Sequence, residues 1–429
     1  MDIPQTGSRI GNEQPDIPVS SEEMRPWGKK MITLYVLAQF GGYIALLTPI
    51  ASSLSLRVAQ VDPVNKTTDY GLIIGVASLA HLFVGPIMGA ISDRTTSRFG
   101  RRRPWIVIGV IAGFLSLLLI ALANTIPLIL LGWSLTQISF SVMSAALSAV
   151  MPDQVPVKQL GRLSGLVSFI QQIGTFVGII IVSLLISKSM FLVFMIPAAI
   201  ALVTVLVLAL AMQDRPIQKE ALDPFHLADV FKTFWVNPRR YPDFGWAWLG
   251  EFLIMFALAF FSTYGTFFLI DHLHFAVSQV PRLQLILLPL GLLAIPMAIG
   301  GGILSDKLGK RKIFVIPSAT FAAAGMIIIA FSNSLALYIV GSTLVGAAIG
   351  LYTAVDQALM VQVLPKKEQA AKDLGVFSLS YLLPKSLAPA LAPFLLAIGG
   401  GNNYTALYLI AGVVCVAGAV ALQPIKSVR

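Results

Sequence analysis

The sequence predicts an all-α membrane protein, twelve transmembrane helices arranged as two six-helix bundles related by an internal repeat. The first observation behind this is composition. Of 429 residues, 56% are hydrophobic and 12% charged, and the mean hydropathy is +0.83, values outside the range of water-soluble domains. The second is length patterning: apolar stretches of about 20 residues, enough to cross roughly 30 Å of hydrocarbon, recur along the chain. The third is repetition. Gly89 and Asp93 correspond to Gly302 and Asp306 at an offset of 213 residues, and the same offset carries Val150-Met151-Pro152 onto Val363-Leu364-Pro365, as expected of tandem halves.

Residues 1–26 are polar, contain proline and are not basic at their start, so a disordered cytoplasmic segment with no cleavable signal is expected. The first bundle, 27–211, then holds spans at about 31–56, 70–92, 104–123, 126–150, 163–186 and 189–211. A connection at 212–243 follows. Within it Asp223 can cap a helix, Pro224 suits its first position, and Phe225, Ala228, Phe231 and Trp235 recur on one face, predicting an amphipathic helix on the membrane surface. The second bundle, 244–424, holds spans at about 244–270, 282–305, 313–331, 334–362, 374–397 and 403–423, ahead of a short tail at 425–429. Interior prolines such as Pro289, Pro296, Pro384, Pro389 and Pro393 are tolerated in a bundle whose neighbouring helices satisfy the freed backbone groups.

Charge placement sets the orientation. Segments on one side hold 25 of the 30 Lys and Arg, whereas the opposite loops hold Arg57, Lys66, Lys188 and Arg282. The positive-inside rule therefore puts both termini and the 212–243 connection in the cytoplasm, with the plasma membrane, the inner membrane in a bacterium, as the expected location. The net charge of +10 follows from this topology and from anionic lipid, so nucleic acid is not required as a partner. Cys415 is the sole cysteine, which excludes an internal disulfide and a cysteine zinc site. Four histidines and no recognisable nucleophile or metal motif argue against an enzyme, and no cofactor or metal is expected. Asp271, His272 and His274 resemble a metal cluster only loosely and read better as a solvated loop. The oligomeric state is not legible; a monomer is the expectation.

The most informative stretch runs from Gly85-Pro-Ile-Met-Gly89 through Ser92-Asp-Arg94 to Arg101-Arg-Arg103, with a weaker copy at Gly302, Asp306 and Lys307. Gly-x-x-x-Asp followed by a basic run resembles the signature loop of the major facilitator superfamily, the large group of twelve-helix secondary transporters. Together with Gln39-Phe-Gly41 and Leu46-Leu-Thr-Pro49, the first 110 or so residues are similar to plant-type sucrose–proton symporters and to the bacterial glycoside, pentoside and hexuronide cation symporters. The resemblance implies alternating access by two bundles around a midplane site. Physically, Asp93 lies where Arg94, Arg98 and Arg101 to Arg103 can pair with it, Gly89 one turn earlier admits a close helix, and Gly100 ends the turn. This predicts a latch joining the two halves on the cytoplasmic side and favouring the outward-open state; the plainer alternative is a loop that only sets topology.

Ionisable groups inside spans supply the remaining candidates, since a charge in lipid is kept facing a cavity or a partner. Glu251, His81 and Asp356 are the proton-coupling candidates; Gln39, Tyr43, Gln171, Gln172 and Lys385 are the substrate-binding candidates. The repeat offset places Lys385 over Gln172 and Glu251 over Ala38 beside Gln39. Each has a structural alternative: a cross-helix hydrogen bond for His81, interfacial hydration for Glu251, an Asp356–Lys385 ion pair, amide contacts between helices for the glutamines. The resulting expectation is a transporter of a small polar solute, a sugar or glycoside, coupled to protons. A drug or metabolite exporter is the alternative within transport, and a non-transporting assembly or sensor protein the alternative outside it.

Overall fold

A computed structural model of the chain describes residues 26–214, 236–291, 293–308, 312–363 and 370–425. Twelve helices in it are long and apolar enough to cross a membrane. The first bundle comprises α1 (Lys29–Val61), α2 (Lys66–Asp93), α3 (Arg103–Leu122), α4 (Ile126–Gln154), α5 (Val157–Leu185) and α6 (Met190–Ala211). The second comprises α7 (Pro242–His272), α8 (Val280–Ser305), α9 (Ile313–Ala330), α10 (Leu335–Val363), α11 (Ala370–Leu396) and α12 (Tyr404–Ala421). Every expected span coincides with one of these helices. The amphipathic helix expected around 223–235 lies outside the described residues.

Lipid offers apolar side chains no hydrophobic gain on helix association, so close packing has to hold each bundle together. The sequence meets this with small residues at the crossings of equivalent helix pairs. A Cβ on Gly113 of α3 would sit 2.7 Å from the Phe140 ring of α4, and one on Gly325 of α9 would sit 2.6 Å from the Gly341 carbonyl of α10. Backbones therefore approach at both crossings, and Trp133, Phe140 and Phe260 fill the spaces between helices. Prolines act where expected: α8 is interrupted near residue 293, between Pro289 and Pro296, because each ring removes a backbone donor and crowds the preceding turn.

Twelve crossings return both described ends of the chain to one side, together with the 94–102 turn; this is the basic face. At the opposite face the bundles are joined. Lys66 at the start of α2 pairs with Asp271 at the end of α7 at 2.6 Å. Tyr264 Oη donates toward the Thr67 carbonyl at 3.1 Å and the Pro389 carbonyl at 2.9 Å, and Gln284 Nε2 donates to the Ala51 carbonyl at 3.2 Å. Gly71 leaves no room between α2 and α11, since a Cβ there would lie 2.4 Å from the Pro389 carbonyl oxygen. α1 and α7 each pass through a π-helical turn near this face, Pro49–Ser53 and Phe268–His272, the kind of irregularity that interrupts helices at functional positions.

Toward the basic face the bundles part. A Cβ on Gly85 or Gly89 of α2, Gly165 of α5, Gly302 of α8 or Gly375 of α11 would meet nothing within 4 Å. The molecule thus encloses a cleft between its bundles, closed at one face and open at the face that carries the termini.

Candidate functional site

Several polar side chains inside the spans form two groups, one in each bundle, that come within electrostatic reach of one another. In the second bundle, Glu251 on α7 is buried, and its Oε2 accepts a 2.5 Å hydrogen bond from Tyr352 Oη on α10. Asp356, one helical turn beyond Tyr352, lies close enough to interact with both. Two carboxyl groups in hydrogen-bonding contact need a proton between them, so this pair has the chemistry of a proton-holding site. Tyr381 on α11 lies within electrostatic reach of both carboxyls, and Lys385, one turn further along α11, holds its Nζ 5.6 Å from the centre of the Tyr381 ring, a cation–π distance.

The first bundle contributes His81 on α2, near enough to Lys385 for that charge to act on it. His81 Nδ1 is hydrogen-bonded to Ser141 Oγ on α4, and Ser141 Oγ donates to the Gln137 carbonyl at 2.6 Å. His81 also hydrogen-bonds toward the Gln137 backbone, so the imidazole, the serine hydroxyl and that carbonyl form one cluster whose donor and acceptor roles follow the imidazole tautomer. Gln137 is itself buried, with its Oε1 unpartnered. His81 lies about 18 Å along α2 from Asp93, and Lys385 about 22 Å along α11 from Ala370, so both sit near the middle of their spans.

The other expected substrate contacts are dispersed. Gln39 is buried inside the first bundle, where its Nε2 donates to Tyr35 Oη at 2.9 Å and that hydroxyl continues to the Leu147 carbonyl. Tyr43 is partly buried, with its Cβ 3.3 Å from the Cβ position of Gly174 on α5. Gln171 and Gln172 lie on the exposed part of α5. The alternative of an Asp356–Lys385 ion pair is not realised: Asp356 turns to Glu251 and Tyr352, and Lys385 to Tyr381.

The signature loop forms a charge network within the first bundle. Arg102 is buried and its guanidinium reaches Asp93, Asp153 Oδ2 at 2.9 Å and Ser92 Oγ at 2.9 Å. Arg101 pairs with the same Asp153 oxygen at 2.5 Å. Asp214 Oδ2 accepts from the backbone N–H groups of Arg102 and Arg103 at 2.6 and 2.7 Å, capping the start of α3. Gly100, at φ +105°, allows the chain to pass against that carboxylate. In this conformation the network ties α2, α3, α4 and the end of α6 together, and Gly89, expected to admit a close helix, has none beside it. Arg98 stacks over Phe99 at 4.8 Å. In the second copy Gly302 also faces open space and Lys307 is exposed, while the side chain of Asp306 lies outside the described residues.

Sequence reasoning missed several of these groups. Asp153 and Asp214 are single acids at helix ends, Tyr352 and Tyr381 are aromatic residues in apolar helices, and Gln137 and Ser141 belong to a span without charge. One expectation is corrected: Asp271 and His272 are not in a solvated loop. They form the π-helical end of α7, where Asp271 pairs with Lys66 and accepts from Tyr404 Oη at 2.8 Å, and His272 stacks 4.7 Å from Phe268. The burial supplied by the joined bundles, invisible in a local sequence, makes the difference.

Comparison with known proteins agrees with this architecture. The sucrose transport protein SUC4 of Arabidopsis thaliana is 37% identical over 98 residues, 22% of this chain and 16% of that protein. Proton-associated sugar transporter A of Homo sapiens is 36% identical over 80 residues, 18% of this chain and 11% of that protein. The matched segments thus span a small part of either relative. Among solved structures, the nucleoside transporter NupG superposes with a TM-score of 0.71 at 14% identity, over 92% of this chain and 98% of that one. A bacterial homologue of the human lysosomal transporter Spinster, inward-facing and unoccupied, gives 0.67 at 17% identity, over 92% and 95%; identities this low speak to fold alone. The model of the Major Facilitator Superfamily matches residues 31–316 and 285–427, and with two six-helix bundles around a central cleft the chain belongs to that superfamily of membrane transporters.

Proposed function

We propose that the protein is a proton-coupled carrier of a small polar solute, a sugar or glycoside, working by alternating access with both termini in the cytoplasm. The observation that carries this reading is the convergence, between the bundles, of hydroxyl-binding groups and a paired carboxyl. His81 and Gln137 from the first bundle and Tyr381 and Lys385 from the second can share one solute, while Glu251 and Asp356 beside Tyr352 can hold and release a proton. A cleft closed by Lys66–Asp271 and open at the basic face is then the inward-open state. The segment similarity to sugar transporters supports the choice of solute. Neutralisation of the basic faces by the cytoplasmic leaflet supports the orientation.

Uptake by purified protein in sealed vesicles, over a panel of labelled sugars with and without a pH gradient, tests the reading. Accumulation of a sugar against its gradient only when the interior is alkaline is the expected result. Expulsion of solute by the same gradient would identify an exporter instead, and absence of flux for any solute would remove the transport assignment in favour of an assembly or sensing role.

A further inference from the structure

Lipid tolerates proline inside a spanning helix where something else satisfies the carbonyl that the missing N–H leaves behind. Helix α11 carries three such prolines, Pro384, Pro389 and Pro393. An α-helical N–H at position i serves the carbonyl at i−4, so these residues deprive the carbonyls of Ser380, Lys385 and Pro389 in turn. The three carbonyls differ in what becomes of them. That of Pro389 accepts from Tyr264 Oη at 2.9 Å, a side chain standing in for the absent donor at 393. That of Ser380 belongs to a fully buried residue, one turn from Phe377, whose ring packs on Phe244 of α7 inside the second bundle. Lys385 is exposed, and among the described residues no side chain hydrogen-bonds its carbonyl.

That carbonyl stands where the two bundles part. Cβ atoms on Gly75 and Gly71 of α2 would lie 3.3 Å from the Ser386 carbonyl oxygen and 2.4 Å from that of Pro389. Since α11 runs from the basic face outward, Lys385 sits just on the basic-face side of this crossing. Nearer that face, a Cβ on Gly375 would meet nothing within 4 Å. Lys385 also comes within electrostatic reach of His81 on α2. Its ammonium turns back toward the Tyr381 ring, away from its own carbonyl, which the helix directs toward Pro389. The Pro389 ring crowds that carbonyl and tips it off the helix axis.

A fixed, uncharged acceptor at the closed end of the cleft suits a hydroxyl. We propose that the Lys385 backbone carbonyl accepts a hydrogen bond from a hydroxyl of the cargo, and that Pro389, by withholding its N–H, sets specificity for polyhydroxylated solutes. A carbonyl can only accept, so the contact favours donors and repels carboxylate or phosphate oxygens. Unlike a side chain, it cannot rotate away or exchange a proton. Contacts of this kind discriminate, because a solute lacking the hydroxyl covers the acceptor and leaves it unpaired. The inference rests on the transport reading given above and adds to it the backbone contact.

The test is uptake of labelled D-glucose and its 2-, 3-, 4- and 6-deoxy analogues by the intact carrier in proteoliposomes. Pro389→Ala supplies the missing N–H and so occupies the Lys385 carbonyl, while Pro384→Ala makes the same repair at Ser380 and serves as the control. The parent is expected to take up glucose with a KM about fivefold or more below that of one analogue. Pro389→Ala should raise the glucose KM by about the same factor, with the maximal rate within about twofold, and leave the KM for that analogue within about twofold. Pro384→Ala should leave both within about twofold. Pro389→Gly restores the same N–H and should reproduce the pattern, and size-exclusion profiles matching the parent show that the variants are folded. An effect of Pro389→Ala equal for glucose and every analogue, an unchanged glucose KM, or the same pattern in Pro384→Ala overturns the contact and leaves sugar transport intact. A parent indifferent to every deoxygenation overturns it without any variant. Absence of uptake by the parent for glucose and all its analogues also overturns the contact, and absence for every sugar of the wider panel overturns the transport reading with it.

Discussion

Lys66 and Asp271 meet at 2.6 Å across the two bundles, joining the first turn of α2 to the last turn of α7 where the cleft is closed. The pair is largely shielded, and Tyr404 Oη anchors the second carboxylate oxygen at 2.8 Å, so the side chains need little further ordering to interact. A partly buried pair in this setting contributes about 1 kcal/mol, which is roughly a fivefold population shift. Lys66→Ala should therefore increase the population open at that face severalfold. Distances between spin labels on the 123–125 and 331–334 loops would report it. An Asp271→Asn variant should match it, and the double variant should add little.

Steric closure can be relieved in the same direction. Gly71 has the Pro389 carbonyl oxygen 2.4 Å and the Tyr264 hydroxyl 2.6 Å from any added Cβ, so Gly71→Leu cannot be accommodated with the bundles joined. The expected outcome is a carrier held open at the face opposite its termini, with exchange slowed tenfold or more. Cysteines introduced on the basic-face half of α5 should then become protected from water-soluble reagents.

The spans were legible because a bilayer imposes a length and a polarity on each helix, and those constraints are local. Glu251, His81, Asp356 and Lys385 were legible for the same reason, as each breaks an apolar run. Their pairing was not, because it is fixed by helix rotation: Asp356 faces Glu251 only through the way α10 packs beside α7, and Lys385 faces the other bundle. Asp214 is the clearest case of a group invisible to spacing, since it caps α3 from 111 residues away.

That cap gives a stability prediction. Asp214 satisfies two backbone donors of α3 beside a buried arginine, and loss of a capping group costs about 0.5–2 kcal/mol. Asp214→Ala should lower the melting temperature of the purified protein without altering solute affinity. Gly100→Ala should do so more strongly, because it adds a Cβ 2.3 Å from the Asp214 carboxylate and places a non-glycine residue at φ +105°.

The signature aspartate has a separate, kinetic prediction. Asp93 pairs with Arg102 inside its own bundle while the basic face is open; if the same group also helps close that face in the opposite state, Asp93→Asn should shift the resting population toward the open-basic-face form and slow turnover, with membrane insertion unchanged. Spin-label distances across the basic face measure the shift directly. An unchanged distribution with normal flux would leave the network a purely structural role.

The coupling prediction depends on the hydrogen bond between Tyr352 Oη and Glu251 Oε2. Glu251→Gln keeps an oxygen to accept from Tyr352 and an amide to face Asp356, but it cannot bind or release a proton, so the site should keep its shape while losing its link to the gradient. A difference of one pH unit stores about 1.4 kcal/mol per proton, enough for about tenfold accumulation when one proton accompanies each solute molecule. In the variant that ratio should fall to about one, whereas exchange of labelled for unlabelled solute, which requires no net proton movement, should continue within a few-fold of the parent rate. His81→Gln is the comparison, because His81 is the other titratable group of the cleft that stands in contact with a hydroxyl. With Glu251 as the coupling group, the histidine variant still concentrates solute, though with weaker affinity. Accumulation retained by the glutamine variant at 251 and lost at 81 would transfer the coupling role to the histidine; accumulation retained in both would detach transport from either proton site.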